Sequence, residues 1–286
     1  ESKTCRNAGE HPLMSAVDCK KTPSCALSLP AQNETIVHSR GKDQVNVTYR
    51  VFNDESEHES EGLRESITSA FAKGEPMCEA AKIGRVGIQQ LTDTFVFSRG
   101  GDGLCIVAES DDGRIVGGAL AGDFVKGEED FADLADKPGF DAIFKFLGKA
   151  ESMFCETVSK DVPFVEGNVA YLFMAGVDEQ FRGYKDISGQ TIGAKVMEHC
   201  LNLAKDKGYR VIMAEATNPG SYRAGQNAGL KPAFYLPYDE PPFDVIEFGE
   251  KSNYGNALVV IAKDFKAQED GGKRDRQVGS RETSES

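Results

Sequence analysis

Residues 169–194 read VAYLFMAGVDEQFRGYKDISGQTIGA, and this stretch organises the reading of everything around it. Its first nine residues are apolar without interruption, the pattern of a strand covered on both faces. A glycine-bearing turn follows, Ser188-Gly189-Gln190-Thr191-Ile192-Gly193, and beyond it Ile192, Val196, Cys200, Leu203 and Ala204 recur at helical spacing. Such a strand–turn–helix passage leaves the first helical N–H groups aimed at one spot, where the helix dipole favours an anion such as pyrophosphate. Glycine also serves ordinary turns, so the turn alone does not select between the two roles.

On the C-terminal side, Val211–Ala216 reads as a second buried strand, Ser221–Asn227 as a short helix, and Phe234–Tyr238, Phe243–Phe248 and Ala257–Phe265 as closing strands. On the N-terminal side, Val45, Val47, Tyr49 and Val51 alternate with polar neighbours, a strand signal. An acidic linker, 54–61, precedes a helix carrying Leu63, Ile67, Ala70 and Phe71 behind Ser60 as N-cap. Gly74 supplies its C′ position, and Pro76 forces Glu75 out of the α region while opening a second short helix, so Glu75 is pinned at a helix–helix corner. Leu104–Ser110 and Arg114–Phe124 form a hairpin about Asp111-Asp112-Gly113. An insertion over 126–166 begins as an acidic loop and continues as a helix with Phe140, Ile143, Phe144, Leu147 and Phe154 on one face. The order predicts a mixed α/β domain with one sheet.

The chain has 286 residues, with 33 Lys and Arg against 46 Asp and Glu, a formal charge of −13. Residues 1–45 carry six basic and five acidic side chains and 266–286 carry five of each, leaving −14 for the stretch between. An acidic domain repels a phosphate backbone, so no nucleic-acid partner is expected; the charge suits solubility and, secondarily, a cationic small molecule. The longest apolar runs, such as Ala257–Ala262, fall far short of the roughly 20 residues of a membrane span. Seven cysteines without a CxxC pair, two of them inside apolar elements, point to a reducing compartment and a cytoplasmic location, against which stand two short glycosylation-type triplets at Asn33 and Asn46. Residues 1–44 read as a flexible extension and 266–286 as a disordered tail, bracketing a domain over 45–265. Of four histidines, three lie in the extension or linker, which leaves His199, read as a partly exposed helix residue, too isolated for a hydrolase triad or a metal site. The junction at 52–63 lacks G-x-G-x-x-G, which excludes a Rossmann nucleotide fold.

The run "FRG" after an apolar strand, the anion-binding turn, the helix IGAKVMEHCLNLAKDKGY, a strand, an Asn-led helix and "AGLKPAF" together resemble the signature of the GCN5-related N-acetyltransferases (GNAT) over residues 45–265. "FAKGEPMCEAA" and "SYRAGQNAGL" are similar to the invertebrate arylalkylamine N-acetyltransferase branch. The resemblance implies a mostly antiparallel central sheet flanked by helices and split between its two central strands, with acetyl-CoA as cosubstrate in the split. It implies main-chain contacts from Met174, Gly176 and Val177, a phosphate loop of Arg182, Gly183, Gly189, Gln190, Thr191, Ile192, Gly193 and Ala194, and Asn218 against the pantetheine arm. The substrate it implies is a primary amine, an arylalkylamine or polyamine, attacking directly in a ternary complex.

That reaction needs a base for the ammonium and an acid for the leaving thiolate. By its match to the branch's Glu-Pro motif Glu75 is the base, although it would also serve as a plain helix cap. The tyrosine many relatives carry in the last helix is replaced by Gly225, so Ser221 is the expected acid, with the adjacent Tyr222 as alternative. The sequence departs from the pattern at Tyr184-Lys185-Asp186-Ile187, an insertion, and at Thr191, where a glycine is expected. These departures motivate an alternative, a non-catalytic acyl-CoA-binding regulatory module. Tyr235, Tyr238, Phe243, Phe140 and Phe144 are candidate walls of an amine pocket, or simply core.

Overall fold

The computed structural model describes residues 33–99, 102–125, 134, 136–157, 162–249 and 252–266. Residues 1–32, the C-terminal tail from 267 and most of the acidic loop of the insertion lie outside them. The chain runs β1 (Glu34–Arg40), β2 (Asp43–Val51), α1 (Glu57–Ala72), α2 (Pro76–Ala80), α3 (Arg85–Arg99), β3 (Ile106–Ser110), β4 (Ile115–Asp123), α4 (Phe140–Thr157), β5 (Val169–Val177), α5 (Ile192–Asp206), β6 (Val211–Ala216), α6 (Pro219–Ala228), β7 (Lys231–Pro237) and β8 (Ala257–Asp264). The strands form one eight-stranded sheet in the order β1-β2-β3-β4-β5-β6-β8-β7. Neighbours are antiparallel except β5 and β6.

That parallel pair is incomplete. Val169–Leu172 pairs with Val211–Ala214, and there the ladder stops, although β5 continues to Val177 and β6 to Ala216. The cause is in the register with β4, where Leu120 faces Met174 but Ala121 faces Leu172, so Phe173 is an extra, bulged residue. A bulge bends its strand and increases the local twist. Beyond it β5 stays with β4, while β6 stays with β8 through Ala216 opposite Val259, and the sheet opens as a V between the two halves.

One face of the sheet is covered by α5 and α6, with Ile192, Val196, Cys200 and Tyr222 in the core; the other by α1, α3 and α4, with Leu63, Ile67, Leu91, Phe95, Phe146 and Phe154. Close approach of α1 is set by small residues beneath it. A Cβ on Gly176 would stand 2.7 Å from Ala70 Cβ, and one on Gly118 2.2 Å from Leu63 Cδ1. The end of α1 therefore rests directly on the open part of β5.

Four expectations are corrected. Residues 34–40, read as part of the extension, form β1. It lacks an apolar alternation because its inward residue is His38, fully buried, which shares a 2.7 Å hydrogen bond with the Tyr49 hydroxyl. Tyr49 in turn stacks on His199 at 4.9 Å, and His199 Nε2 lies 3.0 Å from Glu34 Oε2, so His199, a partly exposed helix residue as expected, ties α5 to β1. The acidic 54–61 segment is mostly the first turn of α1, capped by Ser56 and not Ser60, with Glu57 and Glu59 where the dipole favours acids. Helix α3 was not anticipated, although Ile88, Leu91 and Phe95 are buried at helical spacing. Residues 243–248 make a short 3₁₀ turn, Phe243–Val245, instead of a strand.

Candidate active site

A cavity of about 350 Å³ runs through the opening of the V. Its walls come from β5 past the bulge, the end of β6, the first turns of α5 and α6, the α1–α2 corner and α4. Among the expected site residues it brings together Glu75, Met174, Gly176, Val177, Arg182, Gly183, Thr191, Ile192, Gly193, Asn218 and Ser221. Gly189, Gln190, Ala194 and Tyr222 are not in its wall.

The α1–α2 corner presents Glu75. It is the N-cap of α2, with extended φ/ψ and Pro76 at the first helical position, and its Oε2 accepts from the Cys78 amide. The Thr217 hydroxyl also bonds the carboxylate, yet Oε1 is buried without a partner. Glu75 is 7% exposed, and burial pushes its carboxyl above the usual range, more than the bonds from Cys78, Met77 and Thr217 pull it down. Glu75 therefore caps α2 while standing in the cavity wall, with Oε1 buried and unpaired. Cys78 also lines the cavity, but burial, reinforced by the Glu75 charge, pushes its thiol far up, so it is no nucleophile.

Asn218 joins the corner to β6. Its Oδ1 caps α6 through the amides of Gly220 and Ser221 at 2.8 and 3.0 Å, and its Nδ2 donates to the Gly74 carbonyl at 3.3 Å. Ser221 completes a capping box, its hydroxyl donating to the Asn218 carbonyl at 2.9 Å and accepting from the Asn218 amide at 3.3 Å. The hydroxyl is thus engaged locally while its residue faces the cavity. Tyr222 points the other way, into the α5–α6 core, with its ring 4.8 Å from that of Tyr254. On a helix, neighbouring residues diverge by about 100°, and Ser221 takes the cavity side.

The turn before α5 differs from a simple phosphate cradle. Asp186 Oδ1 accepts from the Ser188 amide and hydroxyl at 2.9 and 2.6 Å and from the Gln190 amide at 2.9 Å, and the Asp186 carbonyl takes the Gly189 amide at 3.0 Å. Thr191, the N-cap, takes the Ala194 amide at 3.2 Å. The amides of Gly189, Gln190 and Ala194 are therefore engaged inside the loop, which corrects the expectation that they point at a ligand. The inserted Lys185 bridges to Ser39 through a pair of backbone bonds of 2.8 and 2.9 Å, so the insertion serves to fasten the turn to β1. Gly183 and Gly189 sit at φ of 82° and 85°, where a side chain would be strained. The Arg182 guanidinium donates to the Ala70 carbonyl at 2.8 Å and the Val177 carbonyl at 3.3 Å, tying α1 to the end of β5.

Of the aromatic candidates only Phe144 lines the cavity. Phe140, Tyr238 and Phe243 are core, and Tyr235 is 45% exposed. The aromatic wall is instead Phe71, Tyr171, Phe173 and Phe181. Glu215, which the sequence reading passed over, also lines it. An acid inside the otherwise apolar strand VIMAEA was the signal.

No protein-family profile and no curated protein matches the chain. Solved structures do. The C-terminal condensation domain of Ebony, in complex with beta-alanyl-dopamine, superposes with a TM-score of 0.62 at 17% identity, covering 77% of this chain and 99% of that one. The putative arylalkylamine N-acetyltransferase 7 of the yellow fever mosquito gives 0.63 at 16%, covering 86% and 99%. The polyamine N-acetyltransferase of Drosophila melanogaster gives 0.56 at 19%, covering 76% and 99%. At these identities the likeness is one of fold, and the fold of this chain, a mostly antiparallel sheet split between β5 and β6, is that of the GNAT N-acetyltransferases.

Proposed function

We propose that the chain is an acetyl-CoA-dependent N-acetyltransferase that transfers acetyl to a primary amine, an arylalkylamine or a polyamine, by direct attack within a ternary complex. The observation that carries this reading is Glu75, a buried carboxyl group in the wall of a cavity that passes through the split of the sheet.

The residues present fit the cosubstrate. Past Leu172 the edge of β5 toward β6 has no strand partner, and Met174, Gly176 and Val177 line the cavity along this stretch, where we place the pantetheine arm, with Asn218 in the same wall. Gly183, Thr191, Ile192 and Gly193 would hold the pyrophosphate at the start of α5, with Arg182 in the same wall. When bound, acetyl-CoA supplies the thioester acetyl group. Glu75 takes the proton of the incoming ammonium, a task its raised pKa suits, because a base works best near the operating pH. Ser221 returns a proton to the leaving sulfur. Burial holds the Cys78 thiol protonated, which speaks against an acyl-cysteine and supports direct attack. Acidic surroundings favour approach of a cationic amine. Among the described residues no helix is long and apolar enough to cross a membrane, and with Cys78 and Cys200 as buried thiols we read the location as cytoplasmic.

The test is incubation with acetyl-CoA and a panel of amines while released thiol is titrated. Amine-dependent release is expected; no release above background with any amine, despite measurable CoA binding, would refute the reading. That outcome would favour a non-catalytic acyl-CoA-binding module, for which the self-satisfied Asp186 turn is the one supporting observation.

A further inference from the structure

The turn at the start of α5 is fastened to a strand more than 140 positions earlier in the chain. Gly183 and Thr191, both in the cavity wall, stand at the two ends of segment 184–190. Consecutive residues of β1 hold both ends. Ser39 exchanges backbone bonds of 2.8 and 2.9 Å with Lys185, and Lys185 bridges on to Thr191. The Arg40 guanidinium donates to the Arg182 carbonyl at 3.1 Å and lies 4.6 Å from the centre of the Tyr184 ring, while its Cδ would stand 3.8 Å from a Cβ on Gly183. Strand β1 is itself fixed elsewhere, by seven pairs with β2 and by the buried His38 on Tyr49.

Inserting Tyr184–Ile187 lengthens the turn, and a longer loop costs more entropy to hold in one shape. A ligand that needs the ordered turn binds more weakly in proportion to the time the turn spends out of place. Arg40 is exposed, so it does not fill the core; its planar fork bonds a carbonyl while its face stacks on an aromatic ring, a combination lysine does not reproduce. We propose that Arg40 is a positioning residue for the cosubstrate: with the Ser39–Lys185 pair it straps the cavity-facing turn to β1, so that CoA binding and docking of the turn on β1 reinforce one another. Such coupling is reciprocal, and a ligand favoured by the docked turn must in turn hold it docked. The proposal rests on the reading that places the CoA phosphates at the start of α5, and not on the chemistry of transfer.

The experiment uses the full chain and three readouts: CoA binding by calorimetry, hydrogen exchange at the Ser39 and Lys185 amides, and thiol-release kinetics. Arg40→Ala should weaken CoA about three- to tenfold, as expected for an exposed hydrogen bond from an ionised donor. It should raise KM for acetyl-CoA by the same factor and leave kcat and KM for the amine unchanged, a split that general destabilisation would not produce. Arg40→Lys, which keeps the charge and a donor but not the stacked plane, should recover part of the loss. Lys42→Ala removes the same charge from the exposed β1–β2 turn and should change nothing. In the wild type CoA should slow exchange of both amides, and without CoA Arg40→Ala should speed it. Unaltered CoA affinity in Arg40→Ala, an equal loss in Lys42→Ala, or exchange at the two amides indifferent to CoA would overturn the proposal. Arg40-dependent CoA binding with no thiol release for any amine would sustain the strap and refute the acetyltransferase reading. Thiol release whose KM for acetyl-CoA is untouched by Arg40→Ala would do the reverse.

Discussion

Replacing Glu75 by Gln keeps the shape of the side chain and an oxygen for the Cys78 amide, but removes the charge. Two roles are thereby separated. As an N-cap the residue is worth about 0.5–2 kcal/mol against Ala, and Gln retains most of that. As a base it is worth about 10²–10⁴ in rate, or roughly 3–5 kcal/mol of barrier, and Gln retains none. The stability effect has a sign as well. Burial raises the folded-state pKa above the unfolded value, so the wild type binds the extra proton when folded and loses stability as pH rises through the raised pKa. Gln carries no such penalty. In thermal melts the variant should therefore match the wild type near pH 4 and exceed it at pH 8, while Glu75→Ala loses about 1 kcal/mol of cap, a shift of about 2–4 °C for a domain of this size. Thiol release at saturating acetyl-CoA gives the other axis. If Glu75→Gln retains kcat within about threefold, less than 1 kcal/mol of barrier, while Glu75→Ala is destabilised, the residue is a cap and the base lies elsewhere.

Other outcomes follow from the same geometry. Because Glu75 titrates high, kcat/KM for the amine should rise with pH through a limb above the ordinary carboxylate range, and a profile flat above pH 5 would remove the base assignment. Gly176→Ala forces a Cβ to 2.7 Å from that of Ala70; it should cost about 1–3 kcal/mol in denaturant unfolding and raise KM for acetyl-CoA, and an unchanged midpoint would contradict the contact. Tyr222→Phe should leave kcat unchanged, since its ring faces Tyr254 outside the cavity; a loss of about tenfold, 1.4 kcal/mol of barrier, would restore it to the chemistry. Asp186 is held below the usual carboxylate range: burial opposes this, but the bonds from Ser188 and Gln190 and the Lys195 charge prevail. Asp186→Ala should therefore be destabilised at pH 7, with the deficit shrinking as pH falls through the depressed pKa, and a pH-independent deficit would refute the linkage.

Where the sequence reading succeeded, period and punctuation coincided. The apolar run of β5, the helical spacing after Thr191 and the Glu75-Pro76 corner each needed only local information, and each folds as read. It failed where burial was achieved by unusual residues. The inward position of β1 is a histidine paired with a tyrosine, so no apolar alternation announces a strand. In α3 a glycine at position 87 and the β-branched Val86, Thr92, Thr94 and Val96 weaken the helical signal, and packing against α1 overrides it. For the site, glycine and turn chemistry located the loop before α5, but the inserted Asp186 drew its amides inward, a competition invisible in a pattern of glycines.

The residues taken one by one determined the helix–helix corner that holds Glu75, the turn that opens α5 and the buried character of β5 and β6, because capping, φ restriction and hydrophobic period act within a few residues. Tertiary structure alone decided that β5 bulges at Phe173 and parts from β6, that α1 comes down on Gly176 to bring Glu75 to the opening, that Ser221 and not Tyr222 faces it, and that Glu215 shares the same cavity. These are matters of register and of contact between elements distant in the chain, where the face a side chain occupies depends on partners that no local stretch contains.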